Sequence, residues 1–305
     1  MQRELSDSGT GENGRKTMRY AGLDDFLKQG TQALQKGPVA LIFCEDETEI
    51  DSTLRHHLDC GFRAVVSFMP DSFALAEDVA ERIHRVPYDT LATEDAIRAI
   101  NRVIAAAPGI WMYYGFNAEY LFYPFCEHRS IGEMLTFHTE ERRDAMLCYV
   151  IDLYASDLWQ NPNAVSLDEA WLDKTGYYAL ARKDAKTGHP KERQLDFYGG
   201  LRWRFEEHIP AARRKIDRIA LFKSAPGLVL SADHTFNQAE YNTYSCQWHH
   251  NLTAAICSFR TAKALKRNPG STFGIDSFRW HNSVRFQWHS GQLLDLGLME
   301  PGQWF

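Results

Sequence analysis

The first strong hydrophobic pattern in the chain is PVALIF at residues 38–43, a continuous apolar run followed by the acidic stretch Glu45-Asp46-Glu47 and then by Ile50, Leu54 and Leu58. An uninterrupted run of that length predicts a strand buried on both faces, and the spacing after it predicts an amphipathic helix. Gly61 supplies the helix stop. A second β-branched run, FRAVVSF at 62–68, ends in the loop signature Met69-Pro70-Asp71-Ser72. Strand, helix and strand of this kind make one βαβ unit. A third short strand is expected near residues 82–86, and residues 91–107 read as a helix stopped by Pro108-Gly109. GIWMYYGFNAEYLFYPF at 109–125 then reads as a buried strand with two polar residues at its end, Asn117 and Glu119. The alternation predicts an α/β fold with a mainly parallel sheet covered by helices on both faces.

Beyond residue 130 the rhythm changes. Residues 139–146 read as charged and helical, 147–153 as an apolar strand, and 160–195 as polar with several turns. Residues 219–222 and 228–230 suggest a hairpin through Ala225-Pro226-Gly227, and 251–266 (NLTAAICSFRTAKALK) suggest a late helix. No internal repeat marks a second domain. The expected organisation is a disordered polar leader over residues 1–17 and one α/β domain over 18–305 with an irregular C-terminal half.

Composition narrows the function. A formal charge of −6 argues against broad contact with nucleic acid, although Arg213-Arg214-Lys215 could still give a local foothold. Six cysteines without a CxxC pair, and no secretory signal, imply reduced thiols in a cytoplasm. No apolar run is long enough to span a membrane, which leaves peripheral contact open. HExxH, P-loop and GxSxG patterns are absent, which argues against zinc proteases, Walker-type nucleotidases and the common serine hydrolases.

In open parallel sheets ligands bind at the carboxyl ends of the strands. The polar groups expected there are Glu45, Asp46 and Glu47 after the first strand, Asp71 and Ser72 after the second, and Asn117 with Glu119. Such oxygens suit Mg²⁺ or Mn²⁺, or the hydroxyls of a ribose. The competing reading for Asp46 and Glu47 is helix capping. His56 and His57 lie within the first helix, where a core role is the simpler reading. His249 and His250 are adjacent, point apart and make poor joint ligands. His234 follows the predicted hairpin in a loop and is the better candidate for a metal or phosphate partner. Gly199-Gly200 reads as a tight turn or a close backbone approach.

The stretches LIFCEDETEIDSTLRHHLDCGF, AVVSFMPDSF and WMYYGFNAEYLFYPF resemble GT-A glycosyltransferases, in particular family 2 and its family 92-like relatives, over roughly residues 38 to 290. In that family an acidic pair ends the first strand, a helix with a His and a closing Gly follows, Asp and Ser end the second strand, and Asp-x-Asp ends a later one. The resemblance implies a nucleoside diphosphate sugar donor, Mg²⁺ or Mn²⁺, and a glycan or lipid-linked acceptor, as in surface polysaccharide synthesis. It places Glu45 near the base, Asp71 near the base or ribose, and Asn117, Glu119 and His234 at the metal. The general base is open among Asp152, Glu140, Glu141 and Asp233, with Asp152 and Glu141 taken as the catalytic candidates. Asn117 stands where the family has Asp, so weaker metal affinity is expected and an Asn117→Asp change should raise it. The alternatives are a catalytically degenerate domain acting as a binding or scaffold protein, and a metal-dependent hydrolase or nucleotidyltransferase on a similar sheet.

Overall fold

A computed structural model of the chain describes residues 18–91, 95–244 and 251–304. The expected leader, Cys246, Trp248, His249 and His250 lie outside the described residues. After β1 (Met18–Arg19) and α1 (Leu23–Gln29) come β2 (Val39–Phe43), α2 (Ile50–Asp59), β3 (Ala64–Met69), α3 (Glu77–Ala80), β4 (His84–Pro87) and α4 (Asp95–Ala106). All residues of β2 and β3 are buried, as a strand covered on both faces requires. α2 turns Ile50, Thr53, Leu54 and His57 to the core, and Gly61 at φ +86° lets the chain leave it. α4 buries Ala96, Ala99, Ile100, Val103 and Ile104, one stripe of a 3.6-residue period. With β5 (Trp111–Phe116), the order β1-β4-β3-β2-β5 is parallel throughout.

The second half departs from expectation. After β5 come β6 (Glu119–Phe122), α5 (Ile131–Glu140), β7 (Ala145–Ala155), β8 (Ala170–Asp173), β9 (Tyr178–Lys183) and β10 (Pro190–Tyr198). They are followed by α6 (Gly200–Arg204), β11 (Asp217–Lys223), β12 (Ala254–Ser258), α7 (Arg260–Arg267), β13 (Ser283–Arg285) and α8 (Ser290–Asp295). The sheet continues β5-β11-β7-β12-β6, with β8 and β13 branching from β7, while β9 and β10 form a separate antiparallel pair. β11 is antiparallel to both β5 and β7, and β6 is antiparallel to β12. The main sheet is therefore mostly, not wholly, parallel.

Four readings are corrected. The run 109–125 is two strands, β5 and β6, that belong to distant places in the sheet. The helix expected at 139–146 lies earlier, as α5, where Ser130 and Glu133 form a capping box. β11 is a central strand and not one arm of a hairpin; Leu230 makes only an isolated bridge to Phe236. The helix expected from 251 begins at Arg260, and the buried Ala254–Ser258 is a strand, since a short apolar run fits either state.

One apolar core runs across the sheet, and a smaller cluster around Tyr154, Leu158, Leu201, Ala262 and Phe278 packs beside β7. No helix among the described residues is long and apolar enough to cross a membrane. The strand directions bring the carboxyl ends of β2, β5, β7 and β12 to one rim with the starts of β6 and β11. A groove lined by Lys36, Pro38, Trp111 and Thr139 lies at the opposite edge, before β2 and β5.

Candidate functional site

The rim is organised by the corner between β5 and β6. Asn117 donates its backbone N–H to Phe43 O at 3.0 Å, which prolongs the β2–β5 ladder by one step. Ala118 then takes φ +59°, a left-handed conformation that a non-glycine residue holds only under constraint. The constraint is visible. The Ala118 N–H donates to Thr53 Oγ1 at 2.9 Å, and its carbonyl accepts the Phe259 N–H at 3.0 Å. The corner throws β6 onto β12, far from β5 in the sheet order.

Asn117 is fully buried and spent on the loop after β2. Its Oδ1 accepts the Glu45 N–H at 2.9 Å, while Nδ2 donates to Asp46 Oδ1 at 2.8 Å and to the Thr48 carbonyl at 2.8 Å. Glu119, also fully buried, accepts two hydrogen bonds from Arg218 at 2.7 and 3.1 Å, one from the Phe116 N–H at 3.0 Å and one from Ser258 Oγ at 3.1 Å. Burial would raise its pKa, but Arg218, its hydrogen bonds and Arg260 outweigh this and hold the carboxyl at about 2. Both oxygens of the one acidic residue in the apolar run are thus occupied by a buried guanidinium.

Further cations surround this pair. Arg260, at the start of α7, stacks 3.6 Å above the Phe116 ring and forms a fork with Glu45, Nε to Oε2 at 2.7 Å. Lys263 and Arg267, from the same helix, reach Asp46 at 3.1 and 2.6 Å. Burial would raise the Asp46 pKa, but Lys263 and the hydrogen bonds from Thr48 and Asn117 bring it to about 2.

Asp152 lies in the same row of the sheet as Glu119, since Ser258 on β12 is the register partner of both. Two strand spacings separate them, about 10 Å. Asp152 is buried; its Oδ2 accepts the Arg202 N–H at 3.3 Å, and its Oδ1 stands 3.5 Å from Arg202 Nε without a well-aligned hydrogen bond. Burial raises its pKa, and Arg202 only partly offsets this. Gly200, at φ +60°, allows the backbone to approach: a Cβ there would sit 3.0 Å from Asp152 Oδ2.

His234 occupies the tip of a tight turn at φ +62°, with Nδ1 3.0 Å from the Tyr114 hydroxyl. Burial first, then Arg218, Arg260 and Arg202, push its pKa down to about 3, so the imidazole is neutral and stands in the field of three guanidiniums. The rim therefore gathers Asn117, Glu119, Glu45, Asp152 and His234. Asp71 is mostly exposed beyond β3, where it pairs with Arg19 at 3.5 Å. Glu141 caps the end of α5 at the opposite edge of β7, and Asp152 is seven residues, or about 23 Å, beyond the first residue of that strand. His57 is a core residue, stacked 5.0 Å from Tyr113, and His56 bonds the Leu121 carbonyl at 2.7 Å.

The residues expected to hold a divalent cation do not fit one. Glu119 has no uncommitted oxygen, Asn117 turns its N–H donors to Asp46 and Thr48, and His234 lies among positive charges. Among the described residues no three His, Cys, Asp or Glu side chains converge as metal ligands. The residues missed by sequence reasoning are the cations, Arg202, Arg218, Arg260 and Lys263. Their signal was indirect: a carboxylate inside an apolar run must have a buried positive partner, but its position in the chain is unreadable without the fold.

No protein-family model matches the chain, and no curated protein matches it significantly.

Proposed function

We propose that the chain is a glycosyltransferase of the GT-A type that transfers a sugar from a nucleoside diphosphate sugar to a hydroxyl of a glycan or lipid-linked acceptor in the cytoplasm. The observation that carries this reading is the gathering of Glu45, Asn117, Glu119, Asp152 and His234 with four cationic side chains at the carboxyl rim of the sheet, where α/β folds take their ligands. The stretches that resemble the family supply the first three of these residues, each at the end of a strand or in the corner after it. In the proposed reaction the acceptor oxygen bonds to the anomeric carbon as the bond to the diphosphate breaks. Asp152, whose pKa burial raises, takes the acceptor proton. Positive charge at the rim offsets the charge that grows on the departing diphosphate.

A thermal-shift series over uridine, guanosine and adenosine diphosphate sugars tests the donor assignment. A donor at a hundred times its Kd should add about 2.7 kcal/mol, or about 4 °C in Tm for a chain of this size. No shift with any of them would remove the assignment.

The full occupation of Asn117 and Glu119 by protein groups favours a second reading, a degenerate domain that binds a nucleotide or glycan without turnover. It predicts a thermal shift with a donor but no sugar transfer or donor hydrolysis over a broad acceptor set.

A further inference from the structure

We infer that the rim holds the phosphate groups of its ligand with guanidinium groups, Arg260 and Arg202, where a divalent cation would otherwise serve, and that binding needs no metal. The inference deepens the donor-site reading and rests on it for the nucleoside part of the ligand.

Three features of the rim point this way. The first is charge. Arg202, Arg218, Arg260, Lys263 and Arg267 are concentrated here against Asp152, Glu119, Glu45, Asp46 and the neighbouring Asp233, five cations in one cluster of a chain that carries −6 overall. The second is the division of labour among the arginines. Arg218 is buried and committed to Glu119, and it braces the aromatic floor from 5.4 Å beside Phe116 and 5.8 Å beside Tyr114. Arg260 is about one-third exposed, and its fork to Glu45 uses Nε and Nη2, leaving the Nη1 donors outside the fork. Arg202 is fixed by Nη1 to the Lys215 carbonyl at 2.6 Å and by Nε to Thr261 at 3.2 Å, which leaves Nη2 outside those bonds. The third is the position of His234, whose Nδ1 lies 3.0 Å from the hydroxyl of Tyr114, the ring that Arg218 faces at 5.8 Å. A divalent cation brought there would be repelled by the guanidinium, while a diphosphate would be attracted by it. The Arg260 guanidinium, held flat over Phe116 and forked to Glu45, is also preorganised for contact with phosphate oxygens.

The test is calorimetric titration of the full chain with inorganic pyrophosphate and with UDP, GDP and ADP, in excess EDTA, and with the nucleotides again in Mn²⁺. Pyrophosphate and one nucleotide should bind in EDTA, and the nucleotide Kd should change by less than about threefold with Mn²⁺. Arg260→Gln should weaken both by about tenfold or more, and Arg260→Lys by less, because the charge remains but the fork does not. Circular dichroism and the unfolding midpoint verify that both variants fold. Nucleotide binding that appears only with Mn²⁺ would overturn the inference and leave the donor site standing. Pyrophosphate binding in EDTA without any nucleotide binding, with or without Mn²⁺, would overturn the donor reading and leave the phosphate site. Absence of all binding by folded protein overturns both, and wild-type affinity in Arg260→Gln overturns the assignment to Arg260.

Discussion

Replacing Arg218 with Met should be among the most damaging single changes in the rim. The guanidinium is 3% exposed and holds both oxygens of a carboxylate that is 0% exposed, so its loss leaves Glu119 with only the Phe116 N–H and the Ser258 hydroxyl. Breaking a buried pair from one side costs about 3–5 kcal/mol. The lowered pKa of Glu119 points to a similar magnitude. Its pKa of about 2, against an ordinary value of 4.5, corresponds to about 3 kcal/mol at neutral pH. The sign follows from the folded value being the lower one: the stabilisation is complete above pH 4.5 and is lost as pH falls toward 2. In Arg218→Met the Phe116 N–H and Arg260 still favour the carboxylate, but burial loses its main counterweight and the pKa should rise, so the deficit should be largest at pH 7 and shrink on acidification. Urea unfolding of both proteins at pH 7 and near pH 4 reads this directly. Pairing the change with Glu119→Leu should recover most of the loss, because an apolar pair needs no counter-ion. A deficit under about 1 kcal/mol at pH 7, equal at both pH values, would show that Glu119 is not held by Arg218 and would reopen it as a metal ligand.

Asn117→Asp should destabilise the fold by about 2–4 kcal/mol in the same assay, and Mn²⁺ should give no thermal protection. The new carboxylate would lose the bonds to Asp46 and Thr48 and face the Asp46 carboxylate at 2.8 Å. Asp152→Asn should lower sugar transfer by about 10²–10⁴-fold while leaving stability at pH 7 equal or higher, since burial disfavours the charged form; the initial rate and the urea midpoint separate the two effects. Gly200→Ala should cost about 1–2 kcal/mol through its positive φ and should reduce kcat by displacing Asp152, which its Cβ would approach to 3.0 Å.

The amino-terminal half of the fold was legible because each element carries its own period: β2 and β3 are continuous apolar runs, and α2 and α4 each show one apolar stripe. The second half was not, because its strands are placed by long-range pairing. Ala254–Ser258 is as compatible with a helix as with a strand until β7 and β6 flank it. Arg218 likewise looks like an ordinary strand-edge charge until β11 is inserted beside β5, where the guanidinium meets Glu119. Asn117 and Glu119 were visible as anomalies in an apolar run, but their partners lie up to 139 positions away, in the Ser258 contact. Nothing in the sequence ranks Asp152 above Glu141, and the length of β7 separates the two.

A crystal structure of the protein grown with UDP and without metal decides whether the carboxyl rim is a nucleotide-sugar site. The diphosphate should lie within hydrogen-bonding distance of Arg260 and Arg202, between Phe116 and His234. UDP seated at the groove beside Pro38 and Trp111, or a rim that takes up no UDP without metal, would exclude it.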